Sequence, residues 1–127
     1  MNDYDNFIDG QFSASSGIQV SCDADESIRE LSPGAALALF RIVQEALGNA
    51  AKHARARKIA VRLTRSKGMV ALAVSDDGVG FDPSRPGTSG GLGLIMIRER
   101  ATQLNGTFDL ETAPGRGTTI NVTIPFR

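Results

Sequence analysis

The sequence predicts an α+β domain: a mixed, mostly antiparallel sheet with helices packed on one face. Three observations point there. The stretch from Gly34 to about Ala54 carries apolar residues at helical spacing. Two pairs of short, β-branched segments are each joined by a tight, glycine-containing turn, which favours antiparallel neighbours over crossovers. A second helical stretch separates the two pairs, so strands and helices do not alternate as they do in a parallel α/β fold.

Residues 1 to 16 are polar, with Ser13, Ser15 and Ser16 near Gly10 and Gly17, and show no sustained period. They read as a linker or frayed tail, leaving 17–127 as the domain. "GIQVSC" (Gly17 to Cys22) alternates apolar and polar residues and reads as a strand, followed by an acidic loop, "DADESIREL". Ser32 caps the long helix, with Pro33 at its first position, where a missing N–H costs nothing. Its apolar face is expected to hold Ala36, Leu39, Phe40, Val43, Ala46, Leu47, Ala50 and Ala54. "KIAVRLTR" and "MVALAVSD", separated by Ser66, Lys67 and Gly68, predict a hairpin. A Gly-, Pro- and Ser-rich stretch runs from Asp77 to Gly91. A second helix follows from Leu92 to Gln103 and stops at Asn105-Gly106. "TFDLET" and "TTINVTIPF" close the chain as two strands around "APGRG". There is no internal repeat and no second domain.

Composition narrows the function. The 14 basic and 14 acidic side chains balance, so the chain lacks the basic excess of most nucleic-acid binders, and any phosphate recognition must be local. No apolar run approaches the ~18 residues of a membrane span. The start, "MNDYDNFIDG", has neither a basic nor an apolar signal region, so a cytoplasmic location is expected. With one cysteine, Cys22, and one histidine, a disulfide framework and a Cys/His zinc site are both excluded. Cys22 and Met96 are expected in the core, and Arg98, Glu99 and Arg100 on a solvated face.

Several features remain that could carry chemistry. At about 100° per residue, Glu45, Asn49 and Lys52 share a narrow helical sector bordering the apolar face, with His53 at its edge. Glu45 and Asn49 offer oxygen ligands to Mg²⁺ and Lys52 a cation for phosphate, although the same spacing also fits a plain solvated face. Gly48, inside the helix, suggests close approach by backbone or ligand. In "SDDGVGF", Asp76 ends a strand where its carboxylate can accept from a buried amine, and Gly78 and Gly80 allow a turn with positive φ. A simple Asp-Gly turn is the alternative. "GTSGGLGL" brings glycines into a helix start, where free N–H groups and the dipole favour phosphate, or forms a flexible loop. It is neither a P-loop, which needs Lys then Ser or Thr, nor a Rossmann turn, because Met96 stands at the third glycine position. Thr118, after Gly117, could bring a hydroxyl to a ligand or simply enter a strand.

The order and spacing of these motifs resemble the ATP-binding domain of sensor histidine kinases, within the Bergerat-fold (GHKL) ATPases, over roughly Gly17 to Phe126. "RIVQEALGNAAKHA" resembles the family's N-box, "DDGVGF" its G1 box, "GGLGL" its G2 box and "GTTINVTIP" its closing Gly-Thr strand. "GLGLIMIRERATQLNG" and the glutamate opening the N-box are most similar to the subfamily paired with response regulators carrying a LuxR-type DNA-binding domain. The resemblance implies a two-layer α/β sandwich that binds ATP with Mg²⁺. Asp76 would accept from the adenine amino group, with Gly78 and Gly80 shaping the slot and Thr118 supporting the same edge. Asn49 would ligate Mg²⁺, with Glu45 as a second ligand, water holder or general base. Lys52 and His53 would touch phosphate oxygens, and Gly91, Leu92, Gly93 and Leu94 would cradle the phosphates beneath a mobile lid from about Asp82 to Gly90.

One departure matters. A histidine kinase needs an acceptor histidine on a dimerisation helix, and the only histidine here, His53, lies in the N-box. The chain is therefore expected to bind ATP but not to autophosphorylate alone. It would be a monomeric catalytic fragment of a membrane-bound homodimeric sensor, cut after its dimerisation helices. A free-standing anti-sigma-type serine kinase and a GHKL ATP hydrolase module share the fold and stand as alternatives.

Overall fold

The computed structural model describes residues 18–53, 55–82 and 91–126. The expected tail at 1–16, Ala54 and most of the expected lid (83–90) lie outside the described residues. The elements are β1 (Gln19–Ala24), a 3₁₀ turn (Glu26–Glu30), α1 (Pro33–His53), β2 (Lys58–Ser66), β3 (Met69–Asp76), α2 (Gly91–Gln103), β4 (Thr107–Thr112) and β5 (Thr118–Pro125). They form a five-stranded mixed sheet in the order β1-β2-β3-β5-β4. β1 runs parallel to β2, from Gln19↔Lys58 to Ala24↔Leu63, because α1 provides the crossover between them. The remaining pairs are antiparallel. The architecture is the expected two-layer α+β sandwich.

Local chemistry explains the boundaries. The Ser32 hydroxyl accepts from the Ala35 N–H at 3.2 Å, satisfying one of the free donors at the start of α1. At the end of α2, Asn105 takes φ +60°, and the Gly106 and Asn105 N–H groups return to the carbonyls of Ala101 and Thr102. That arrangement caps the helix and turns the chain into β4. Lys67 and Gly68 both take positive φ, which suits the two-residue turn between β2 and β3.

The core lies between the sheet's inner face and the two helices. β2 alternates exposed and buried residues, placing Ile59, Val61 and Leu63 inward. Val70, Leu72 and Val74 of β3 and Ile120, Val122 and Ile124 of β5 continue that layer. Against it pack Leu39, Ile42, Val43, Ala46, Leu47 and Ala50 of α1 and Ile97 and Ala101 of α2. Each buried Leu or Ile contributes roughly 1.5–3 kcal/mol, so this seam fixes how α1 lies on the sheet.

Three expectations need correction. The α1 stripe is rotated slightly: Ile42 and Ala35 are buried, whereas Phe40 and Ala36 are half-buried at its edge. The loop after β1 contains a 3₁₀ turn whose Ile28 is buried and is followed by buried Leu31. Met96 is exposed on α2, because Ile97 and Ala101 already fill the face toward the sheet. Cys22 is half-buried and packs against the core.

Candidate functional site

At one end of the sheet α1 and β3 finish, and β2, α2 and β5 begin. Every candidate residue belongs to this end. It has two parts, a turn system around Asp76 and a helix pair around Asn49.

Asp76 is the last residue of β3, paired in register with Thr118, the first of β5. Its Oδ1 accepts from the Gly78 N–H at 2.8 Å, and its carboxylate also accepts from the Thr118 backbone N–H. Burial raises its pKa above the ordinary aspartate value, and the neighbouring Asp77 charge adds to the rise. The two N–H groups offset part of it. Asp77 points the other way: it is exposed, and its Oδ1 accepts from the backbone N–H groups of Arg57 and Lys58 at 2.8 and 2.9 Å. Those bonds hold its carboxyl below the usual range.

The turn after Asp76 is interlocked with the β4–β5 hairpin. Gly80 has φ +64°, and a Cβ there would run into the carbonyl oxygen of Ala113. Gly117 has φ +70°, and its Cβ would collide with the Asp76 carbonyl oxygen. Both positions therefore need glycine twice over, for conformation and for space. Gly115 N–H donates to the Val79 carbonyl at 2.6 Å. Thr112, at the end of β4, joins three partners. Its hydroxyl accepts from Phe81 N–H at 3.1 Å, donates to the Gly117 carbonyl at 3.1 Å, and lies 2.9 Å from the Thr118 hydroxyl.

In the helix pair, Glu45 and Asn49 are half-buried one turn apart on α1, facing the start of α2. A Cβ at Gly93 would lie 2.7 Å from Asn49 Oδ1, Asn49 Nδ2 and Glu45 Oε1, so any larger residue would make the ends of these two side chains move. Asn49 Nδ2 is buried and has no hydrogen-bond partner among the described residues. A buried donor left unpaired costs about 1–3 kcal/mol, which is unusual away from a functional site. Lys52 and His53 occupy the last turn of α1, and Gly91, Leu92 and Leu94 the first turn of α2. Of the two approaches expected at Gly48, that of backbone is not made: a Cβ there would meet no protein atom within 4 Å.

The structure thus groups Asp76, Gly78, Gly80 and Thr118 in one part, and Glu45, Asn49 and Gly93 in the other. Sequence reasoning missed Thr112 and the clasp made by Asp77. The only available signal for Thr112 was the hairpin register, which pairs it with Thr118. A broad open concavity lined by Gln19, Ser21, Lys58, Ala60 and Ser75 lies on the sheet's outer side. Asp76 borders it, but Asn49, Glu45 and Gly93 do not, so it is separate from the helix pair.

The chain belongs to the family of histidine kinase-, DNA gyrase B- and HSP90-like ATPases, whose match spans residues 34–127. Among curated proteins it is 40% identical over 89 residues to the signal transduction histidine-protein kinase/phosphatase DegS of Brevibacillus brevis, covering 70% of this chain and 23% of that protein. It is 34% identical over 115 residues to the oxygen sensor histidine kinase NreB of Staphylococcus carnosus, covering 91% of this chain and 33% of the relative. The chain therefore spans about a quarter to a third of these relatives' length. Among solved structures, the blue-light activated histidine kinase EL346 of Erythrobacter litoralis superposes with a TM-score of 0.74 at 28% identity, over 95% of this chain and 38% of that one. The mycobacterial sensor histidine kinase MprB, at 23% identity and a TM-score of 0.70, covers 98% of this chain and 92% of its own and supports the fold.

Proposed function

We propose that this domain binds ATP with Mg²⁺ and donates the γ-phosphoryl group to a histidine on a separate dimerisation domain of a longer sensor kinase. The observation that carries the reading is the buried, unpaired amide of Asn49 beside the Glu45 carboxylate. An unpaired donor calls for an acceptor, and a nucleotide phosphate oxygen supplies one. The donor set also fits Mg²⁺: Glu45 and Asn49 offer a carboxylate and an amide oxygen one turn apart, the hard ligands this ion takes in small number. Bound there, the ion would neutralise charge on the phosphates.

The chain's own groups do the rest. The Asp76 carboxylate, aimed by two backbone N–H groups, accepts from the adenine amino group in the slot shaped by Gly78 and Gly80. Thr118 supports the same edge. The N-terminal turn of α2 at Gly91, Leu92, Gly93 and Leu94 presents backbone N–H groups to the phosphates, and the family resemblance assigns Lys52 and His53, in the last turn of α1, to phosphate oxygens. Glu45 either orders water and metal or acts as general base. Phosphoryl transfer requires mainly alignment and charge neutralisation, which these groups provide. The acceptor histidine's nitrogen attacks the γ-phosphorus, and ADP leaves.

The subfamily resemblance supports a downstream response regulator with a LuxR-type DNA-binding domain, with no direct contact between this domain and nucleic acid. No helix among the described residues is long and apolar enough to cross a membrane. The family resemblance, and not that absence, is what supports a cytoplasmic domain tethered to a membrane-bound homodimeric parent. The test is titration with a fluorescent ATP analogue, with and without Mg²⁺, on the wild type and on Asn49→Ala. Binding should depend on Mg²⁺ and weaken at least about tenfold in the variant, as expected when charge-assisted contacts are lost. Absence of wild-type binding, or equal affinity in the variant, would overturn the reading. With γ-labelled ATP, the domain alone should take up no label, whereas a dimerisation domain added in trans should be labelled on histidine.

A further inference from the structure

We infer that Thr112 is a specificity-setting residue: its hydroxyl fixes the hydrogen-bond polarity of Thr118, so that Thr118 offers an acceptor, not a donor, to the base edge of the nucleotide. The inference rests on the nucleotide reading above and concerns a residue that reading does not use. A threonine hydroxyl has one proton to give and two lone pairs to receive. At Thr112 two contacts have only one possible sense. The Gly117 carbonyl, 3.1 Å away, can only accept, so it takes the proton. The Phe81 N–H, also 3.1 Å away, can only donate, so it occupies one lone pair. The one arrangement that makes all three contacts hydrogen bonds has Thr118 donate across the 2.9 Å contact between the two hydroxyls, into the remaining lone pair of Thr112.

With its proton committed, Thr118 can present only lone pairs to an incoming ligand. Its own backbone N–H is on the Asp76 carboxylate, so that acceptor stands beside it. The edge then consists of acceptors on both sides. A purine bearing an amino group there finds partners, whereas one bearing a carbonyl sets acceptor against acceptor. Discrimination of this kind is strong because the mismatched groups are left unpaired as water is excluded. Thr112 need not touch the base. It acts through Thr118, as a positioning residue, and it also ties this polarity to the chain at Phe81.

The experiment compares dissociation constants for ATP and inosine triphosphate, which differ at the 6-position, in the wild type, Thr112→Val, Thr112→Ser and Thr118→Val. The wild type should prefer ATP. In Thr112→Val the freed Thr118 hydroxyl can turn its proton toward a carbonyl, so the ATP preference should shrink by roughly five- to tenfold, about the value of one hydrogen bond. Thr112→Ser should restore it. Thr118→Val should narrow the preference as well, which keeps the test open should Thr112→Val not fold. A merely structural role for Thr112 would weaken both nucleotides equally and leave the ratio unmoved. That result, or an unchanged ratio in Thr118→Val, would overturn the proposal. A wild type that binds neither nucleotide would instead sink the underlying reading.

Discussion

The two halves of the site are finished to different degrees. Around Asp76 four N–H groups have acceptors: Gly78 and Thr118 N–H on its carboxylate, Phe81 N–H on Thr112, and Gly115 N–H on Val79. Around Asn49 a buried amide nitrogen has none among the described residues. The first half is built from backbone and hairpin register, with these four bonds made in the fold itself. The second is built from the Glu45 and Asn49 side chains of α1 against the backbone of α2 at Gly93, and on the proposed reading a ligand satisfies it. On the proposed reading, a base slot that exists before binding costs nothing to organise, and a phosphate cradle left one acceptor short rewards the ligand that supplies it.

The sharpest way to break this comparison is to add one methyl group to each half. In Gly80→Ala the new Cβ meets backbone, at a position whose φ is already left-handed. The hairpin and the turn must separate, and the expected loss is roughly 2–4 kcal/mol of stability, together with nucleotide binding. In Gly93→Ala the new Cβ, at 2.7 Å, meets the ends of the Asn49 and Glu45 side chains, which can rotate away. Stability should fall by much less. Affinity for ATP should fall while affinity for adenosine, which lacks phosphates, is kept. Denaturant melts and paired titrations with ATP and adenosine check both outcomes. If Gly93→Ala unfolds the domain as readily as Gly80→Ala, the distinction between a backbone-built and a side-chain-built half is wrong.

Asp76→Asn gives a smaller but cleaner effect. Burial raises the Asp76 carboxyl in the folded state, so the folded chain holds that proton more tightly than the unfolded chain does. The ionised group therefore subtracts from stability, increasingly as pH rises from the unfolded value through the raised one. An amide has no such charge. At neutral pH Asp76→Asn should melt no lower than the wild type, and its relative advantage should shrink on acidification toward and below the unfolded pKa. Binding of ATP should weaken at least about tenfold, because one face of the amide now offers a donor to the adenine amino group. A variant that loses stability and affinity together would mean that Asp76 holds the turn in place and does not serve the ligand.

The legibility of these features follows the range of the interaction that creates them. Ser32 and Pro33 announce the start of α1, and Lys67-Gly68 and Asn105-Gly106 announce turns, because each acts on residues within one helical turn of itself. Asp76, Gly80 and Gly93 were legible because they lie in or beside short glycine motifs, although the groups that Gly80 and Gly93 approach are distant in the chain. Features that need tertiary placement were not. Gly48 and Gly93 look alike as helical glycines, yet only Gly93 faces another helix. The 3₁₀ turn at Glu26–Glu30 is too short to show a period. Ile42 lies beside Leu39 and Val43 on the buried face, and whether it or Phe40 is fully enclosed depends on where the sheet sits. Thr112 acquires meaning only when β4 and β5 are in register.

Asp77 is the extreme case, since its partners, Arg57 and Lys58, precede it by 20 and 19 residues. Its effect should also be the smallest. The exposed carboxylate joins the end of β3 to the entry of β2 through two N–H groups on one oxygen. Its folded pKa is lowered, so its contribution to stability is present above the unfolded pKa and is lost as pH falls through the folded one. Asp77→Asn keeps one acceptor oxygen and should retain most of the clasp, with a flatter stability profile on the acid side. Asp77→Ala removes the acceptor and should melt lower than Asp77→Asn at neutral pH. Neither change touches Asn49 or Gly93, so any loss in ATP affinity should appear equally with adenosine, through slackening of the strand end that holds Asp76. A loss confined to ATP would mean instead that Asp77 acts on the phosphates, and the division of the site into two independently built halves would not survive it.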